Sequence, residues 1–208
     1  MPPLSTLLPF FGISLVLGLT PGPDNLFVLL QSAMRGSRSG MVIVLGLCTG
    51  LLVHTFVVAV GLGALLVASK VAFTLLKSVV GAAYLVYLAW QAWRAPVGIN
   101  PGKVEDVDAA HLYRRGLLMN LSNPKVVIFF LAFLPQFVIG DRGHIPLQIA
   151  VLGMSFIAAS LVVFSLIALS SGVGGKLLLR STRTQQALNR FASLVFVALA
   201  AKLASTQL

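Results

Sequence analysis

Residues 18 to 29 read GLTPGPDNLFVL and interrupt what is otherwise near-continuous hydrocarbon, LLPFFGISLVLGL before and LFVLLQSAM after. Proline has no N–H to give a helix interior, yet it suits the first position of a new helix. The stretch therefore predicts a broken helix. Gly22 supplies the turn after Pro21, Pro23 opens a second half-helix, and Asp24 and Asn25 lie in its first turn. A charge deep in a membrane span costs ~2.5 to 3.5 kcal/mol on insertion scales, so Asp24 is expected to face the protein interior.

The rest of the chain makes a membrane the natural solvent. Of its 208 residues 58% are apolar and only 10% charged, and the mean hydropathy is +0.97. Residues 39–69 and 143–175 contain no Asp, Glu, Lys or Arg, and each run exceeds the roughly 20 residues a spanning helix needs. The N-terminus, MPPLSTLLPFFG, has no basic region and no small-residue cleavage site after its apolar run, so the first span is expected to be retained. The single cysteine, Cys48, excludes an intramolecular disulfide and reads as a small buried hydrophobe. The net charge of +10 is spread over short interruptions between apolar segments, with no basic stripe alternating with aromatics, which argues against nucleic acid.

Six spans are expected, at residues 5–33, 40–68, 71–93, 116–138, 145–170 and 187–205. The sixth is the weakest, because Arg190 and Lys202 must both snorkel; an interfacial helix is its rival. Loops one, three and five carry ten basic residues, among them Arg35, Arg38, Arg94, Arg114, Arg115 and Arg183, against four on the other side. The positive-inside rule then places those loops in the cytoplasm and both termini outside. Residues 94–115 hold three of the five acids and read as a solvated cytoplasmic linker between the halves 1–93 and 116–208.

The first helix of the second half is interrupted as well, in NLSNPK from Asn120 to Lys125. Asn123 is a natural N-cap, Pro124 a first helical residue, and Lys125 falls in the first turn. Three spans, a linker and three spans force the halves into opposite orientation. The expected fold is therefore an all-α integral membrane protein of two inverted three-helix repeats, with the first helix of each broken. Paired interruptions of this kind point to a transport site. Both breaks lie about 8 to 10 residues from a cytoplasmic arginine, which at ~1.5 Å per residue is near the middle of the ~30 Å core. Two half-helix N-termini, one carboxylate and one ammonium complement a zwitterionic amino acid. The plainer alternative is that the prolines merely kink the helices and Asp24 pairs with its own helix end or with Lys125.

Other residues have simpler readings. His54 lies in a span and reads first as hydrogen-bonded structure, with a proton relay as the alternative; the three histidines have no metal-ligand spacing, and no cofactor motif is present. Gly46, Gly50, Gly61 and Gly63 read as helix-packing positions. Tyr84, Tyr87, Trp90 and Trp93 suit an aromatic belt at the cytoplasmic interface. Pro135 and Gln136 read as a kink or as an outer gate.

Three stretches, PGPDN in the first span, GAAYLVYLAWQAWR at 81–94 and NLSNPKVVIFFLAFLPQF at 120–137, together resemble the LysE/RhtB family of amino-acid exporters. The resemblance extends over the whole chain, including its length and six-span layout. One departure is Ala89, where the family pattern carries glycine. The resemblance implies export of amino acids or close derivatives across the bacterial inner membrane, driven by an ion gradient without ATP. It also implies that Pro21, Gly22, Pro23, Asp24, Asn25, Asn123, Pro124 and Lys125 form the transport site. A buried carboxylate near a cation can be tuned to exchange a proton for a substrate amine, which makes Asp24 the expected proton-coupling residue and the proton the coupling ion. The absence of a second buried acid leans toward neutral amino acids, and exposed small-residue faces permit a homodimer. The alternatives are a non-transporting scaffold or subunit, and a membrane enzyme, for which one acid and one histidine in the spans are a poor supply of catalytic groups.

Overall fold

A computed structural model describes residues 2–20, 22–68, 81–94, 108–140, 144–170 and 182–205, and among these the regular structure is entirely helical. Hydrocarbon offers no hydrogen bonds to a backbone, so a chain this apolar satisfies its N–H and C=O groups within helices.

The first break is present. Helix α1 spans Leu4–Leu19 and α2 spans Pro23–Arg35, with a 62° bend between them. Pro23 is the first residue of α2 and Gly22 its N-cap, as expected. Gly22 has φ −161° and ψ 175°, which is extended backbone open to any residue. The turn thus comes from the proline and not from glycine-only geometry. Gly36 is different. It is the sole residue between α2 and α3 (Ser37–Ala68), and its φ of 89° with ψ 160° is a region that costs any Cβ-bearing residue dearly.

Helix α4 spans Gly81–Arg94, and the expected start of that span, 71–80, lies outside the described residues. Helix α5, Ala109–Ser122, begins well ahead of residue 116. Residues 109–115, expected to belong to a solvated linker, are thus helical. The Asp108 side chain accepts the His111 N–H at 2.7 Å and caps the helix, so the basic residues there decorate a helical turn and not a coil. The rest of the expected linker, 95–107, lies outside the described residues.

The second break is present too. Asn123 caps α6, Pro124–Ile128, with Pro124 as its first residue, and the bend from α5 is 51°. α6 widens into a π turn at Phe129–Phe133 and tightens into a 3-10 turn at Leu134–Phe137. Pro135 accounts for both: an α-helix would drive its ring into the carbonyl of Leu131, inside the π turn. Helices α7 (Ile145–Ser170) and α8 (Thr182–Ser205) complete the chain. Buried Gln148 on α7 exchanges two hydrogen bonds, both 3.0 Å, with the backbone N–H and C=O of Ile139.

Two stretches, Ser37–Gly61 and Ile145–Ser170, are long and apolar enough to cross a membrane singly, and the two bent pairs bring the total to four among the described residues. Helix α8 carries Arg183, Arg190 and Lys202 along its 24 residues.

Helix α3 packs along α5 and α7, α1 lies on α7, and α4 lies on α8. The α3–α5 crossing is close enough that glycine is required on both sides. A Cβ at Gly46 would collide with the Tyr113 carbonyl, and one at Gly116 would lie 2.6 Å from the Ile43 carbonyl oxygen. The Tyr113 hydroxyl donates to Thr49 Oγ1 at 2.9 Å and fixes the register. Gly46 and Gly50 thus serve packing as expected, whereas a Cβ at Gly61 would meet nothing and Gly63 has no described side-chain environment. Arg115 lies 4.8 Å over the Phe27 ring, tying α5 to α2. Phe129 stacks on Phe156 at 4.5 Å, and Phe10, Phe130, Phe133 and Phe137 extend that aromatic cluster. Large apolar side chains such as Leu4, Leu8, Phe56, Leu166 and Leu169 remain exposed, as a lipid-facing surface requires. On α4 the exposed Trp90 lies under Arg94 and Trp93 under Arg190, an interfacial pairing in keeping with an aromatic belt.

Candidate functional site

The two breaks meet. Asn123 Nδ2, from the second, donates to Asp24 Oδ2, from the first, at 2.9 Å, and both side chains are buried. Lys125 reaches the other way. Its Nζ donates to the carbonyls of Leu17 (2.9 Å) and Thr20 (3.2 Å), the unpaired groups at the C-terminal end of α1. A cation is the natural partner for that end of a helix. Asp24 and Lys125 are close enough to attract one another electrostatically.

Local sequence sets each position. Asn123 Oδ1 accepts the Lys125 N–H at 3.0 Å, so one amide caps α6 and holds Asp24 at the same time. Asn25 donates to the Gly18 carbonyl at 2.6 Å, closing the first break across its own turn. Helix α2 has no side-chain cap. Asp24 Oδ1 and Asn120 Oδ1 are buried and meet no donor among the described residues. Buried polar atoms are nearly always satisfied, and both of these oxygens belong to residues on the wall of one cavity.

A cavity of about 30 Å³ lies between the breaks. Its wall includes Gly22, Asp24, Asn25, Asn123 and Lys125 from the expected site. Pro23 and Pro124 are exposed and shape the backbone without lining the cavity; Pro21 lies outside the described residues. Sequence reasoning did not assign the remaining wall, which includes Leu51, Asn120, Phe156, Ser160 and Phe164. Asn120 was visible as part of the NLSNPK interruption. Ser160 and the aromatics carry no signal apart from helical burial, since serines and phenylalanines are ordinary in membrane helices. A volume of this size holds about one water, so any larger solute fits only if the helices part. His54 Nε2 lies 3.4 Å from the Asn120 carbonyl and its ring packs on Phe130 at 5.5 Å, which suits the structural reading of this histidine.

Bent apolar helices close on a small cavity lined by a buried carboxylate and an ammonium, in a chain with the helices of a membrane protein. A family model, LysE type translocator, matches residues 15–207, and the chain belongs to that family, whose members are transporters and not enzymes. It is 38% identical over 164 residues to an uncharacterized membrane protein of Vibrio cholerae, covering 77% of this chain and 78% of that one. It is 35% identical over 153 residues to a homoserine/homoserine lactone efflux protein of Salmonella typhimurium, covering 73% of each chain. A third relative, an uncharacterized membrane protein of Pseudomonas aeruginosa, is 38% identical over 152 residues, covering 70% of this chain and 66% of its own. No solved structure matches the chain.

Proposed function

We propose that this exporter moves small neutral amino acids out of the bacterial cytoplasm, across the inner membrane, in exchange for protons. The observation that carries the reading is a cavity in which Asp24 has a buried carboxylate oxygen with no donor among the described residues and Lys125 arrives from the opposite break. The substrate ammonium takes Asp24 Oδ1. Its carboxylate draws Lys125 Nζ toward the uncapped N-terminus of α2. That movement removes the cation from the Leu17 and Thr20 carbonyls, so occupancy of the site loosens the α1 bend. On the outer side the substrate leaves and a proton takes its place on Asp24, so one carboxylate serves both ligands in turn. Of the two solutes named for the Salmonella relative's efflux, homoserine carries the ammonium and carboxylate that a site with one acid and one base complements, and its lactone carries the amine alone.

The repeat architecture belongs to the same proposal, with loops one, three and five in the cytoplasm, both termini outside, and all six helices spanning. Its support is the packing. Exchanging the first three spans for the last three turns the α3–α5 contact into the α1–α7 contact and leaves the α3–α7 and α4–α8 contacts unchanged. Such closure is what an inverted repeat produces. The second repeat then starts at α5, and the two halves rock about the cavity. A homodimer through the exposed small-residue faces is compatible with this arrangement.

The test is efflux from cells preloaded with dipeptides, with every released amino acid quantified. Wild type is expected to release one or a few, and Asp24→Asn none above empty-vector cells. Release of nothing by the wild type points to a scaffold. Uphill release by Asp24→Asn with proton coupling intact refutes the antiport mechanism.

A further inference from the structure

Helix α5 has two faces. Tyr113, Gly116 and Asn120 turn toward α3. On the opposite side His111, Arg114, Arg115, Leu118, Met119 and Ser122 line a groove of about 330 Å³, within the ~300 to 1,000 Å³ of small-molecule sites. Spacings of three and four residues make them one stripe along the helix. Helix α5 packs along α3 and touches α2 and α6, and on the groove side Leu118 is 62% exposed. The stripe changes character along its length. Its first part is basic, and neither Arg114 nor Arg115 has an acidic partner among the described residues. Asp108, the nearest acid in sequence, is taken up by the His111 N–H at 2.7 Å. Arg115 lies 4.8 Å over the Phe27 ring, and a stacked guanidinium keeps its N–H edge free for an anion. Helices α5 and α6 together make one candidate span, so Leu118 lies about 6 Å deeper than Arg114, at ~1.5 Å per residue. Ser122 adds no polar group to the deep end, since its hydroxyl donates back to the Leu118 carbonyl at 2.8 Å.

We propose that this face of α5 binds an anionic phospholipid, its phosphate on Arg114, Arg115 and His111 and its acyl chains along Leu118 and Met119. Two guanidinium groups side by side suit a phosphodiester, which they meet with paired N–H bonds. The apolar half of the groove has no use for a water-soluble phosphate, whereas a lipid carries the hydrocarbon that matches it. Order and depth agree as well: headgroup contacts stand at the outer end of the span and chain contacts farther in. The bound lipid also has a structural consequence. Helix α2 leaves the first break and α5 enters the second. A headgroup that fixes Arg115 over Phe27 braces those two half-helices against each other at their basic ends.

The test is thermal unfolding of the purified chain in a neutral detergent as lipid is added, a readout that does not depend on transport. Dioleoylphosphatidylglycerol is expected to raise the unfolding midpoint, as any ligand of the folded state does. Dioleoylphosphatidylcholine has the same chains and no net charge, and glycerol phosphate has the charge and no chains; both are expected to leave the midpoint in place. In Arg114→Gln the mole fraction of phosphatidylglycerol that gives half the shift should rise about fivefold, and with Arg115→Gln added roughly 25-fold, at about fivefold per basic residue. Arg183→Gln, which removes an exposed arginine from α8, should keep the wild-type value. An equal response to phosphatidylcholine overturns the proposal, and so does a response to glycerol phosphate, which would make the groove a site for free anions. A phosphatidylglycerol response that Arg114→Gln leaves unchanged, or that Arg183→Gln weakens as much, overturns it too, as does no response to any lipid. If loss of the Phe27 contact unfolds the double variant, Arg114→Gln alone decides.

Discussion

Replacing Lys125 with methionine removes the ammonium and keeps most of the side chain's bulk. Two hydrogen bonds from Nζ, at 2.9 and 3.2 Å, are lost with it. Each charge-assisted bond contributes ~1.5 to 3 kcal/mol. Against that, the ~2.5 to 3.5 kcal/mol needed to insert an ammonium is recovered. Asp24 is then left buried with only Asn123 for company, which adds to the loss. The balance is a destabilisation of about 3 kcal/mol, in line with removal of one member of a buried pair. For a chain of this length that lowers the midpoint of thermal unfolding by about 6 to 12 °C. Adding Asp24→Asn to Lys125→Met should return about half of it, because a neutral amide no longer lacks a cation while the Leu17 and Thr20 carbonyls stay unmet. Thermal unfolding of the four proteins in one detergent gives the complete cycle. Unchanged stability in Lys125→Met, or a double variant weaker than Lys125→Met alone, would refute the idea that these two charges hold the breaks together.

Two further outcomes come from the glycines at the ends of α2. Gly36→Ala places a Cβ on a backbone at φ 89°, so stability should fall by ~1 to 3 kcal/mol, measurable as a lower unfolding midpoint. Gly22→Ala should fold normally, within ~0.5 kcal/mol of wild type, because its backbone is extended and a Cβ meets nothing nearer than 3.9 Å. The same methyl stands 4.0 Å from Lys125 Nζ, so substrate KM should rise while the unfolding midpoint holds.

Both breaks were legible because proline leaves a backbone little choice. With no N–H and a fixed φ, Pro23 and Pro124 suit the first turn of a helix far better than its interior, and the Gly22 and Asn123 caps follow from that. The charges were legible because hydrocarbon makes them conspicuous. The start of α5 was not, since the arginines at 114 and 115 resemble a solvated loop until the Asp108 cap is seen. Nor was the hold of Lys125 on the end of α1, through the carbonyls of Leu17 and Thr20. Sequence shows that a charge is buried, whereas its partner depends on how two bent helices cross.

The Gln148 side chain behaves toward Ile139 as a second peptide group would, giving one N–H and taking one. Few residues can stand in its place. Glutamate would bring a negative charge against the Ile139 carbonyl, leucine would abandon both backbone groups, and asparagine is one methylene short. Position 148 is therefore close to a single-residue position, though it is not on the cavity wall.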